Sequence, residues 1–211
     1  MAKAYKAYGI DVSHWQGNVN FAKVKAAGKE FVILKAGGSD AGYYTDKKLE
    51  TYYKDATAAG LHVGAYYFAG SKFYGASEGK KCAEHFIKIL GDKKFDYPVF
   101  LDIEAQPTNR KAKTTEAVNE FCKTMEAAGW WAGIYAADIA GWRDRLDMTK
   151  LSKYSHWVAD YTDPVKYCTD YQMRQYSSKG KISGISCYVD LDYSLLDYPA
   201  TIKKRKLNNY K

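Results

Sequence analysis

Long apolar runs are missing from this 211-residue chain, and none reaches the roughly 18 residues that a membrane-spanning helix requires. Membrane insertion is therefore not expected. The first residues, MAKAYKAYGID, also lack the continuous apolar core of a secretory signal peptide. Export is expected either to be signal-independent or to concern a mature form. Cysteine is scarce: Cys82, Cys122, Cys168 and Cys187 include no CxxC pair, and the four histidines show no HExxH spacing. No metal site is expected from such spacings. Cys168 and Cys187 flank an expected hairpin and could pair in an exported protein, although buried free thiols are the plainer reading. AGGSDAG (36–42) is glycine-rich but lacks the GK[ST] of a phosphate-binding loop, and no GxGxxG frame fits. It reads as a flexible rim loop. SGISC (183–187) is not a GxSxG nucleophile elbow, so serine-hydrolase chemistry has no support. No cofactor is implied.

What is present is enough apolar material, 46% of residues, for one substantial core in a single domain. The formal charge of +8 is uneven, because IKKRKLNNYK (202–211) alone supplies +5. This end (201–211) reads as a solvated basic tail or the start of a linker, after a single domain over 1–200. A nucleic-acid site would interleave basic residues with aromatics on one surface, and the tail shows no such design. Nucleic acid is not an expected partner, and a monomer is expected.

Eight short β-rich runs recur at even intervals: 8–13, 31–37, 62–69, 97–104, 131–137, 156–161, 171–177 and 187–194. Helical spacing fills 21–28, 46–60, 77–91 and 114–129, three of which end at Gly60, Gly91 and Gly129. The 138–153 interval has room for only a short helix, and the last connections are turn-like. A parallel crossover usually needs a dozen or more residues with a helix, so the last three strands are expected to pair antiparallel. The fold class is therefore α/β, an irregular TIM-like (β/α)5(β)3 barrel. An open Rossmann-like sheet is the rival, but eight strands favour closure.

In such barrels the working residues sit at the C-terminal ends of the strands. Acids appear at several of these ends: Asp11, Asp102 with Glu104, and Asp190 with Asp192. Asp102 and Glu104, in YPVFLDIE, stand at i and i+2 and so share a face about 6.5 Å apart along the strand. Two carboxyls so close raise each other's affinity for a proton, and the longer Glu104 suits a proton donor. Taken alone, the pair fits a solvated strand end with two salt bridges equally well. Asp11 alone reads more readily as a turn cap, Asp190 as plain surface, and His14 as a structural histidine. Aromatics gather at strand ends too, among them Tyr66, Tyr67, Tyr135, Trp157, Tyr161 and Tyr176, and flat faces with polar tips suit sugar rings.

Taken in order, GIDVSHWQG, GAYYFA, PVFLDIE, GIYA, WVADY, RQYSS and VDLDYS resemble the glycoside hydrolase family 25 lysozymes over about residues 8–198. The resemblance implies an irregular barrel and an N-acetylmuramidase. Such an enzyme cuts the β-1,4 bond between N-acetylmuramic acid and N-acetylglucosamine in cell-wall peptidoglycan, outside the cell or at the wall. It places the acid/base on Glu104, a second carboxylate on Asp102, and supporting carboxylates on Asp11 and Asp190. Tyr66, Tyr67, Tyr135, Trp157 and Gln175 become the expected substrate-binding residues. Two positions depart from the pattern. Tyr67 stands where many members have histidine, and Asp192 where many have asparagine. A chitinase-like or N-acetylhexosaminidase activity, or a carbohydrate-binding pseudoenzyme, are the alternatives.

Overall fold

The computed structural model describes residues 5–211. Nine strands alternate with five helices in one sheet. The strands are β1 (Ala7–Val12), β2 (Phe31–Gly38), β3 (Tyr44–Thr45), β4 (His62–Phe68), β5 (Val99–Asp102), β6 (Ala132–Ala137), β7 (Ser155–Ala159), β8 (Met173–Gly180) and β9 (Val189–Ser194). The helices are α1 (Phe21–Ala26), α2 (Leu49–Ala58), α3 (Ala76–Leu90), α4 (Lys111–Ala127) and α5 (Tyr198–Arg205). The sheet runs β1-β9-β8-β7-β6-β5-β4-β2-β3, and pairing of β1 with β2 closes eight strands into a barrel. β3 is an extra strand on the edge of β2, where it pairs with Gly37 and Gly38. That pairing places the first glycines of AGGSDAG in regular strand rather than in a loose loop.

Strand alternation splits the apolar residues into two layers. Ile10, Val32, Leu34, Val63, Ala65 and Leu101 face outwards and pack under α1 to α4. Phe31, Ile33, Tyr97, Phe100, Trp157 and Met173 face into the barrel. Large rings fit inside because neighbouring strands carry glycine at the same level. A Cβ on Gly9 would lie 2.4 Å from the Phe31 ring, and one on Gly133 would lie 2.4 Å from the Phe100 ring. The lower barrel is thus filled with hydrocarbon, and the polar groups are left to its upper, C-terminal end.

Two features depart from the sequence expectation. β7 and β8 pair parallel, and only β8–β9 and β9–β1 run antiparallel within the barrel. The 160–172 connection is just long enough for a crossover, and the buried Asp138 carboxylate organises it. Asp138 accepts backbone N–H groups from Lys166, Tyr167 and Cys168 at 2.7–3.2 Å.

The basic C-terminal segment is also not a frayed tail. Tyr198 and Ile202 of α5 are fully buried in the inner apolar cluster. Asn208, also fully buried, donates to Phe95 O and Tyr97 O and accepts from Trp131 N–H. Tyr210 donates to Asp96. The segment's cations project to solvent while its apolar and amide groups plug the base of the barrel, a split that net charge cannot reveal. All four cysteines are free: Cys82, Cys122 and Cys168 are buried, and Cys187 is exposed. No helix among the described residues is long and apolar enough to cross a membrane.

Candidate active site

Inward-facing residues at the upper ends of the strands enclose a polar cavity of about 220 Å³. It is lined by Asp11, Tyr66, Asp102, Glu104, Tyr135, Trp157, Tyr161, Gln175 and Asp190. The barrel's register brings them together, because Asp102 pairs with Tyr135, Tyr135 with Trp157, and Asp11 with Asp190. The four carboxylates expected from the sequence therefore meet in one place, delivered by three different strands.

Asp102 is buried and its Oδ1 has no hydrogen-bond partner among the described residues. Burial, and then the charge of Glu104, hold its carboxyl well above the usual carboxylate range, while the Lys35 ammonium opposes them. Glu104 stands at the cavity mouth just beyond β5. Desolvation by the cavity walls raises its carboxyl as well, against Lys35 and Arg145. Asp190 is pushed up to about 6 by burial and by Glu104.

The floor is a network. Gln175 Nε2 donates to Asp11 Oδ2 at 2.7 Å, and its Oε1 accepts from Tyr135 OH at 3.0 Å and from Tyr161 OH at 2.8 Å. In this orientation the amide oxygen faces both phenols and the amide NH₂ faces the Asp11 carboxyl. Beneath it, Asp192 is fully buried and accepts from Trp157 Nε1 at 2.9 Å. Asp192 Oδ2 has no N–H or other fixed donor, but the Asp11 carboxyl lies in hydrogen-bonding contact. Burial raises both groups, joined by the charge of Asp192 acting on Asp11 and by the charge of Asp190 acting on Asp192, and one proton held between Asp11 and Asp192 would satisfy the pair.

Of the expected binding residues, Tyr66, Tyr135, Trp157 and Gln175 line the cavity, and Tyr67 does not. Tyr66 faces inwards, so alternation turns Tyr67 outwards under the helices. There it is fully buried against Phe86 and Phe121, with its hydroxyl 3.0 Å from both Gly38 O and His85 Nδ1. His14, given no role, holds the buried Asp46 carboxylate at 2.6 Å. Tyr161 belongs to the lining, and Asp192 lies directly under it. Lys35 is a further participant that sequence reading missed. Its signal was a lone cation inside the apolar run FVILKAG, facing the same way as Ile33.

Comparison with known proteins places this architecture. A family model described as Glycosyl hydrolases family 25 matches residues 10–185. Lysozyme M1 of Streptomyces globisporus is 32% identical over 205 residues, covering 86% of this chain and 65% of its own length. The autolytic lysozyme of Clostridium acetobutylicum is 29% identical over 185 residues, or 87% of this chain and 54% of that protein. The chain thus spans between about half and two thirds of these relatives. The bacterial lysozyme structure from Streptomyces coelicolor matches with a TM-score of 0.74 at 28% identity, over 98% of this chain and 99% of that one.

Proposed function

The chain belongs to glycosyl hydrolase family 25, and from that membership we propose that it is a peptidoglycan hydrolase acting at the bacterial cell wall. The bond cut is the β-1,4 linkage between N-acetylmuramic acid and N-acetylglucosamine. The observation that carries the proposal is the convergence of Asp102, Glu104, Asp11 and Asp190 on one cavity walled by Tyr66, Tyr135 and Trp157. Asp11 and Asp102 are buried, which is costly for acids unless they are used, and aromatic walls suit sugar rings. The catalytic unit runs past residue 200 in this reading, supported by the packing of Tyr198, Ile202 and Asn208 at the barrel base. It acts as a monomer, and its net charge of +8 favours approach to anionic wall polymers.

In this mechanism Glu104, its proton affinity raised by desolvation, protonates the glycosidic oxygen as the bond to the leaving sugar breaks. Asp102 Oδ1 is a buried acceptor without a partner, and the substrate's acetamido N–H supplies one. Held there, the acetamido oxygen attacks the anomeric carbon, an exception to the two-carboxylate scheme used by some N-acetylated substrates. Glu104, now ionised, takes a proton from the water that opens the intermediate. Lys35 favours the ionised form of Asp102, and the Asp11–Gln175–Asp192 network holds the floor rigid beneath it.

Glu104→Gln tests the assignment. Loss of the general acid is expected to cut release of reducing muramic ends from purified walls by on the order of 10²–10⁴-fold, with the melting temperature preserved. Wild-type rates in that variant would overturn the role of Glu104. Cleavage of chitin in preference to walls would favour the chitinase-like alternative. Inversion at the anomeric carbon of the first product, read by NMR, would rule out acetamide participation.

A further inference from the structure

The β7–β8 crossover is a parallel connection with no helical segment among the described residues, so something else must hold it to the barrel. Asp138 anchors its middle. A second cluster lies beside it: His156 on β7 with Cys168 and Asp170 on the crossover. One atom from each, an imidazole nitrogen, a sulfur and a carboxylate oxygen, lie within 4.8 Å of one another. His156 and Cys168 are buried and Asp170 is exposed, which leaves a route from solvent. His156 faces outwards from the sheet, because its neighbour Trp157 faces the cavity. The cluster is therefore separate from the catalytic carboxylates.

The hydrogen bonds of His156 define what the cluster lacks. Nε2 is 3.3 Å from Leu151 O, and a carbonyl can only accept, so the tautomer with hydrogen on Nε2 finds its acceptor there. Nδ1 is 3.3 Å from Asp170 Oδ1, which as a carboxylate also only accepts. In that tautomer the Nδ1 lone pair and the Asp170 oxygen face each other beside the Cys168 sulfur. A metal cation placed between them would meet all three donors. A ring N–H donated to a backbone carbonyl is the usual posture of a metal-ligating histidine. The buried Trp142 ring lies 4.5 Å from the imidazole and walls off the inner side.

We propose that His156, Cys168 and Asp170 form a zinc site that staples the helix-free crossover to β7. Nitrogen, sulfur and oxygen donors together suit Zn²⁺ in tetrahedral coordination with water as the fourth ligand, whereas calcium and magnesium prefer oxygen alone. On binding, Cys168 gives its thiol proton to solvent, and the thiolate and carboxylate together neutralise the dication. The absence of CxxC and HExxH spacing in the sequence does not bear on such a site, because its ligands are assembled by the crossover.

The test uses the full chain, free of affinity tags, in a Cys187→Ser background that removes the exposed thiol. Calorimetric titration with Zn²⁺ is expected to saturate at one metal per chain, and chelation should reverse an accompanying rise in melting temperature. Co²⁺ should give a near-ultraviolet thiolate charge-transfer band that Cys168→Ser abolishes. Asp170→Asn, an exposed change that spares folding even if Cys168→Ala does not, should weaken Zn²⁺ binding by at least about tenfold. Absence of saturable binding, or binding unchanged by Asp170→Asn, would overturn the site.

Discussion

Asp192→Asn isolates the shared proton under the active site, because it exchanges one oxygen for an NH₂ at constant volume. The amide oxygen can still accept from Trp157 Nε1, as Asp192 Oδ1 does at 2.9 Å. The NH₂ can donate to Asp11 where the shared proton does now. Asp192→Ala removes both contacts and leaves the indole N–H and the shared proton on Asp11 without acceptors, while Gln175 Nε2 still donates to Asp11 Oδ2. Each orphaned group costs about 1–3 kcal/mol. At about 2–4 °C of melting temperature per kcal/mol for a chain of this size, Asp192→Ala should melt on the order of 10 °C lower. Asp192→Asn should stay within about 2 °C of wild type at neutral pH, a shift smaller than about 1 kcal/mol.

The pH dependence separates the two states further. Asp11 and Asp192 have raised folded-state affinities for protons, so between the unfolded carboxylate range and those raised values the folded protein binds more protons. That stability is present at low pH and is lost as pH rises through the folded values. After burial, the charge of Asp192 is the largest cause of the Asp11 elevation. The asparagine variant should therefore lose stability less steeply towards alkaline pH. Thermal melts of the three proteins from mildly acid to alkaline buffer decide the matter. If Asp192→Asn melts as low as Asp192→Ala, or tracks the wild-type slope, the shared proton is wrong.

Reducing-end release should decline as pH falls through about 6, where Asp190 takes up a proton, and Asp190→Asn should flatten that limb. An unaltered limb in the variant would assign it to another group. Tyr67→Phe should lower stability by about 1 kcal/mol through its lost hydrogen bond while leaving KM for wall fragments unchanged; a raised KM would return Tyr67 to the substrate site. Asn208→Ala should lower the melting temperature by several degrees, since buried carbonyls left unpaired cost about 1–3 kcal/mol. No change would mean that the segment after α5 contributes nothing to the barrel.

Much of the site was legible because strand alternation is a local rule. Placing Asp102 and Glu104 on one face needed only the i, i+2 spacing, and both do face inwards. The same rule, applied strictly, would have separated Tyr66 from Tyr67, which resemblance had grouped together. Asp192 was visible as a same-face neighbour of Asp190, but its depth was not. Its burial depends on closure of the barrel against β1 and on the Trp157 indole from across the interior.

The order of strands and helices, the filled lower barrel and the acids at strand ends follow from periodicity and residue type, which each short segment carries by itself. The pairing direction of β7 with β8, the docking of residues 198–210 and the Asp11–Asp192 contact were decided only in three dimensions. Each depends on partners far apart in the chain: Asp138 with residues 166–168, Asn208 with Phe95 and Tyr97, Asp11 with Asp192. Hydrogen bonds and desolvation act through space, and a linear pattern holds neither distance nor depth.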